Sequence, residues 1–161
     1  MTEYSSEVQL QSLLQTVAVG QLTLQVRHRL APTDEFGSAV ALMRNRSHGC
    51  ALVCLGGELL GIVTERDVLH ALHMGVDPHA PVSDIMTAQP TTVTSQDCLF
   101  DAIALMDQGG YRRLPVLGDT GSPVGVIDVK TVTGFLVEHY AEAIHNQASL
   151  AELTARHREG A

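Results

Sequence analysis

Thr64 and Asp67 stand three residues apart in Gly61–Val68 (GIVTERDV), where an apolar run gives way to a helical pattern. A threonine hydroxyl and the first amides of a helix can bond an anion, and Gly61 lets backbone approach closely. A carboxylate in Asp67's place can accept from paired hydroxyls such as a ribose diol. The same frame returns 64 residues later as Gly125–Val132 (GVIDVKTV), with Asp128 in the hydroxyl's place and Thr131 in the carboxylate's. Thr64 and Asp67 could also be simply a helix start, the hydroxyl capping amides and the carboxylate favouring the positive end of the dipole.

These residues need a repeated scaffold, and the sequence contains one. Phe36, Ala39, Val40 and Met43 mark one face of a helix, and 63 residues on Leu99, Ala102, Ile103 and Met106 repeat the spacing. Polar residues precede each helix, Thr33-Asp34 and Ser95-Gln96-Asp97, and are expected to cap it. Strand pairs follow: Ala51 to Leu55 returning as Leu59 to Val63, and Leu114 to Leu117 returning as Val124 to Ile127. The offset grows from 63 to 64 across these hairpins, as one extra turn residue would require. A further helix begins after each return strand, so each copy reads β-α-β-β-α. Gly75 to Pro81 connects the copies, and Thr91-Thr92-Val93 leads into the second as Val26 to Leu30 leads into the first. Ser6 to Gln9 has capping-box spacing ahead of an amphipathic helix ending near Gly20. A long C-terminal helix is expected from Phe135, with a frayed end from Thr154. The expected division is 1–20 N-terminal helix, 21–76 and 77–140 the two modules, and 141–161 C-terminal helix and tail.

Ten basic against eighteen acidic residues leave a formal charge of −8 on 161 residues, which argues against a nucleic-acid or anionic-membrane surface. No apolar run approaches the roughly 20 residues of a membrane span, and the Met1 end lacks a signal-peptide pattern, so the expected address is the cytoplasm. Cys50, Cys54 and Cys98 are odd in number and lack metal-type spacing; they read as reduced thiols, the first two as small apolar filler on one strand face. His70, His73 and His79 read as solvated histidines, with no fourth ligand placed beside them. Nothing supplies a base-oriented nucleophile, a metal set or a paired acid and base, so no catalysis is expected.

Two copies in tandem, with Val82-Ser83-Asp84-Ile85-Met86-Thr87, Arg112-Arg113-Leu114-Pro115-Val116 and GIVTERDV in order, resemble a pair of CBS domains, the module named for cystathionine β-synthase. The resemblance covers about residues 17–140. It implies an α+β fold in which two domains pack with pseudo-twofold symmetry, flanked here by terminal helices. It also implies a regulatory module whose inter-domain clefts accept AMP, ADP, ATP or S-adenosylmethionine, with or without magnesium, and which pairs through its helices into a homodimer.

Carried over by the resemblance, one cleft takes Thr64 and Asp67, then Thr91, Thr92 and Val93 from the second lead-in, with Gly49, Cys50 and Ala51 in its floor. Arg112 and Arg113 would reach phosphates; adjacent strand residues point oppositely, which favours one of them, and Arg112 is the expected one. The other cleft, with Asp128 and Thr131, has lost its ribose acceptor and gained a carboxylate near the phosphate. Two negative charges about 4 Å apart cost on the order of 1 to 4 kcal/mol near a surface, so one nucleotide per chain is expected. The output would be another polypeptide acting in trans. The alternative is a ligand-free module for dimerisation and protein interaction.

Overall fold

The computed structural model describes residues 3–25, 28–46 and 49–140. Their order is α1 (Glu3–Thr16), β1 (Arg29–Leu30), α2 (Phe36–Arg46), β2 (Cys50–Leu55), β3 (Glu58–Thr64), α3 (Glu65–His73), β4 (Thr87–Ala88), β5 (Val93–Thr94), α4 (Leu99–Gly109), β6 (Arg113–Leu117) and β7 (Pro123–Asp128). A last helix, α5, occupies residues 129–140. The chain divides into two compact units, Met1–Ile127 and Asp128–Ala161. Val26 and Arg27 of the first lead-in, and the expected C-terminal helix beyond Tyr140, lie outside the described residues.

Two sheets form, ordered β1-β2-β3-β4 and β5-β6-β7. In each, a two-residue strand lies parallel to the first hairpin strand: Leu30 faces Val53, and Val93 faces Val116, the same register displaced by 63. The first hairpin turns at Gly56 and Gly57, whose φ values of 59° and 91° suit the left-handed positions of a tight turn. The second turns through residues 118–122, closed by Gly118 N–H donating to the Ser122 carbonyl.

β2 is covered on both faces. Ala51 and Val53 join Leu30, Phe36, Ala39, Val63, Val68, Ala71 and Val82 in one core cluster. Cys50 and Leu52 point the other way, onto Ile62 and Val126, with Cys54 and Leu59 packed beside them. Period-two alternation thus sends one strand into two cores, which is why it carries no polar residue.

The helix starts differ from the sequence expectation. Asp34 and Asp97 do not cap the following helices; their Oδ2 atoms accept from the preceding turns, from Ala31 N–H at 2.8 Å and Thr94 N–H at 2.7 Å. The first amides of the helices are met by backbone from the other copy's lead-in. Phe36 N–H donates to the Ala80 carbonyl and Leu99 N–H to that of Val17; in return Val82 N–H bonds Asp34 and Val19 N–H bonds Asp97. Every partner is displaced by 63, as are the bridges Glu35–Pro81 and Cys98–Ala18. The sheets repeat the exchange: Thr87 pairs with Ile62 in the first copy, and Gln25 with Val126 in the second. Glycines allow both approaches, since a Cβ on Gly61 would stand 3.0 Å from the Thr87 carbonyl oxygen and one on Gly125 would stand 2.9 Å from Leu24 Cβ. Each module is therefore completed by the chain that precedes the other.

α1 runs from Glu3, so Ser6 lies within the helix instead of capping it. The helix stops at Thr16 because the next residues turn extended, Ala18 having φ −79° and ψ 144°, to reach Cys98. It packs against α4 and so covers this chain's own surface.

Candidate functional site

Thr64 closes β3 and is the N-cap of α3, its φ of −114° and ψ of 168° still extended. Its N–H donates to Asp67 Oδ2 at 2.7 Å and its Oγ1 to the same oxygen at 2.6 Å, while Asp67 N–H reaches back to Thr64 Oγ1 at 3.4 Å. This is a capping box, with Asp67 serving as the return acceptor. Asp67 Oδ1 takes no part in it; among the described residues it meets only the Thr87 hydroxyl, at the long distance of 3.4 Å. The second unit keeps the same pairing with the letters exchanged. Thr131 N–H and Oγ1 donate to Asp128 Oδ1 at 2.8 and 2.9 Å. Asp128 now stands at the N-cap and the hydroxyl three residues on, so the exchange conserves the helix start and alters what the helix start presents. Asp128 is buried, whereas Asp67 is half-exposed.

Thr64 and Asp67 line a cleft of about 410 Å³ in Met1–Ile127, together with Ile62, Glu65, Arg66, Thr87, Gln89, Thr91, Tyr111, Arg112 and Arg113. Three arginines and two carboxylates face one space, a local excess of positive charge on an acidic chain. The turn after α4 sets the arginine wall. Gly110, at φ 64°, ends the helix in a left-handed C-cap, and Tyr111 N–H bonds back to the Met106 carbonyl, which leaves Arg112 in the bend before β6 and Arg113 as its first residue. Both arginines line the cleft, where alternation favoured one.

The two arginines differ in how they are held. Arg112 is exposed and makes no ion pair among the described residues. Arg113 is half-buried, 26% exposed, and its Nη2 lies 3.9 Å from Glu65 Oε2. Its guanidinium packs on Gly49: a Cβ there would stand 2.6 Å from Arg113 Cζ and 3.0 Å from Glu65 Oε2. Arg113 Nε is buried with no hydrogen-bond partner among the described residues.

Of the other expected floor and lead-in residues, Thr91 lines the cleft, while Thr92, Val93, Gly49, Cys50 and Ala51 are not on its wall. Val93 is buried in the β5–β6 pair, and Cys50 and Ala51 go to the two cores on either side of β2. Ile62, Glu65, Arg66, Thr87, Gln89 and Tyr111 line the cleft without having been expected among its ligand-binding residues. Glu65 and Arg66 sit between the two motif letters. Tyr111 follows the paired glycines, and its ring lies over Gly109, where a Cβ would clash with it. Gln89 is the described non-glycine residue with positive φ, 46°, and its N–H bonds the Leu60 carbonyl.

Outside the cleft, burial raises the Cys54 thiol pKa, opposed by the nearby Arg29 charge. No group of three or more His, Cys, Asp or Glu among the described residues is arranged to hold a metal ion, and no helix among them is long and apolar enough to cross a membrane. His79 Nδ1 lies 3.1 Å from Glu35 Oε1 on an exposed surface. That hydrogen bond, with the Glu35 and Asp77 charges, raises the His79 pKa above 6.5. A raised folded-state pKa stabilises the protein below the unfolded value and loses that contribution as pH climbs through the folded value. His79→Gln should therefore lower the melting temperature slightly at pH 5.5 and leave it unchanged at pH 8.5. A deficit of equal size at both pH values would show that the pair's charge is not the cause.

A CBS domain family model matches residues 29–74 and 82–138. The CBS domain-containing protein YhcV of Bacillus subtilis is 33% identical over 107 residues, covering 66% of this chain and 75% of YhcV. Protein CBSCBSPB3 of Arabidopsis thaliana is 26% identical over 125 residues, which is 74% of this chain and 22% of that protein; the chain thus spans about a fifth of that relative's length. Among solved structures, a putative acetoin utilization protein of Vibrio cholerae superposes with a TM-score of 0.71 at 22% identity over 80% of this chain and 96% of that one. The CBS domain protein PAE2072 of Pyrobaculum aerophilum, solved complexed with AMP, gives 0.67 at 22% identity over 71% and 89%. These matches at two segments, over a doubled β-α-β-β-α order, agree with the exchanged lead-ins described above. The chain belongs to the CBS-domain family, as a tandem pair.

Proposed function

We propose that the cleft binds one adenosine-bearing nucleotide per chain and that its occupancy regulates a partner protein in trans. The observation that carries this reading is Asp67 Oδ1, a carboxylate oxygen left out of the capping box and lining the same cleft as Arg112 and Arg113. In it Asp67 accepts from a ribose hydroxyl, Thr64 and the start of α3 lie by ribose and phosphate, and the arginines hold the phosphate. The AMP complexes of PAE2072 and of CBSX2, at 22% and 23% identity, support the choice of ligand class. Such a module reads adenylate levels in the cytoplasm. A second reading, a ligand-free interaction module, is favoured by α3, where Leu69 and Leu72 are 68% and 56% exposed. Those residues also offer a surface for a homodimer.

Melting and titration calorimetry with AMP, ADP, ATP and S-adenosylmethionine separate the two. A ligand at a hundred times its dissociation constant adds about 2.7 kcal/mol to native stability. For a chain of this length that is a rise of roughly 5 to 10 °C. The expected stoichiometry is one per chain. No shift with any of the four leaves the interaction module, and two equivalent sites would overturn the single-cleft reading.

Gly49→Ala gives a sharper check. Its Cβ takes the space of the Arg113 guanidinium, whose flexible end can swing away without unfolding the protein. AMP affinity should fall by about tenfold, the scale of one charge-assisted hydrogen bond, with little change in melting temperature. Unchanged affinity would mean that Arg113 need not sit on Gly49 to bind phosphate.

A further inference from the structure

Resting on that reading, we infer that Glu65 is an internal competitor for the phosphate, a latch that holds Arg113 until an anionic ligand displaces it. Three features converge on this role. Glu65 Oε2 lies 3.9 Å from Arg113 Nη2, too far for a hydrogen bond and close enough for an ion pair. Both groups pack on the bare backbone of Gly49, so their meeting place is defined by the fold and not by chance on open surface. The Glu65 side chain is 65% exposed and carried on the first turn of α3, free to rotate outward, while Arg113 is more deeply held and its Nε has no partner among the described residues.

Exposure fixes the scale. An ion pair this open to water is a weak contact, one that a doubly charged phosphate can replace. Glu65 also faces the same space as the ligand, so while it stays it repels every phosphate added to the chain. Its removal should help anionic ligands in proportion to their charge and give an uncharged nucleoside no such gain. Glu65 is thus a specificity-determining residue that sets how strongly the cleft separates nucleotides from nucleosides.

The test measures dissociation constants of adenosine, AMP and ATP for the full chain and for Glu65→Gln, Arg113→Gln and the double variant. Glu65→Gln should raise affinity for AMP relative to adenosine by about two- to fivefold, the range of an exposed ion pair. The gain should be larger for ATP. It should shrink in the Arg113→Gln background to what direct repulsion alone supplies, the difference being the coupling between the two groups. A gain of equal size without Arg113 would overturn the latch and leave Glu65 a general repulsive charge. Binding with no change in any ratio would overturn the role of Glu65 altogether. Failure of all three compounds to bind the unaltered chain would instead refute the adenosine site on which the inference rests. Melting curves without ligand check that each variant folds.

Discussion

Asp67→Ala should lower AMP affinity by roughly 10- to 150-fold, because it removes a charged acceptor whose hydrogen bonds are worth about 1.5 to 3 kcal/mol. It also removes the return half of the Thr64 capping box, with a stability cost of about 0.5 to 2 kcal/mol. The two losses must be told apart, since a loosened helix start could weaken binding by itself. Asp97→Ala supplies the comparison. Asp97 takes Thr94 N–H at 2.7 Å, much as Asp67 takes Thr64 N–H at 2.7 Å, but Asp97 does not line the cleft. Both variants should melt below the parent chain, and only Asp67→Ala should lose the ligand, as read by calorimetry at saturating protein. Equal losses of affinity in the two would mean that Asp67→Ala weakens binding through lost stability and not through a lost acceptor.

The repeat was legible because its signals are periodic. Phe36, Ala39, Val40 and Met43 against Leu99, Ala102, Ile103 and Met106 put two helices in the right places, and GIVTERDV put a hydroxyl and a carboxylate at a helix start. What sequence left out is carried by backbone. Strands of two residues have no alternation to read, so the exchange of Val82 and Val19 between modules, made through main-chain amides, leaves no side-chain pattern. Gly49 looked like a floor residue, and the structure adds the space that it leaves for the Arg113 guanidinium. Tyr111 and Gln89 reach the cleft through a left-handed turn and a positive φ, conformations that a single sequence does not announce. The change from Thr64/Asp67 to Asp128/Thr131 reads as loss of a ligand site; the geometry adds that it conserves a cap.

Phe36→Ala should be the most destabilising single change in the first module. Phe36 is 1% exposed, and truncating a buried phenylalanine costs about 3 to 5 kcal/mol through lost burial and the cavity left behind. That corresponds to a fall of roughly 6 to 20 °C in melting temperature. Phe36→Leu, which introduces the residue found at the equivalent position 99, should restore most of it. The effect should also reach the cleft. Phe36 N–H holds the Ala80 carbonyl, and Val82 of the same segment packs in the cluster with Phe36. Five residues after Val82, that segment enters β4 and presents Thr87 and Gln89 to the cleft beside Asp67. A void beneath Val82 loosens the chain that supplies one wall of the site, so AMP affinity should fall severalfold even where the variant is fully folded. Adding AMP should then recover less melting temperature in Phe36→Ala than in the parent at equal ligand concentration. If the ligand-induced rise is the same in both, the segment from Ala80 to Gln89 holds its place without Phe36, and core and cleft are energetically separate.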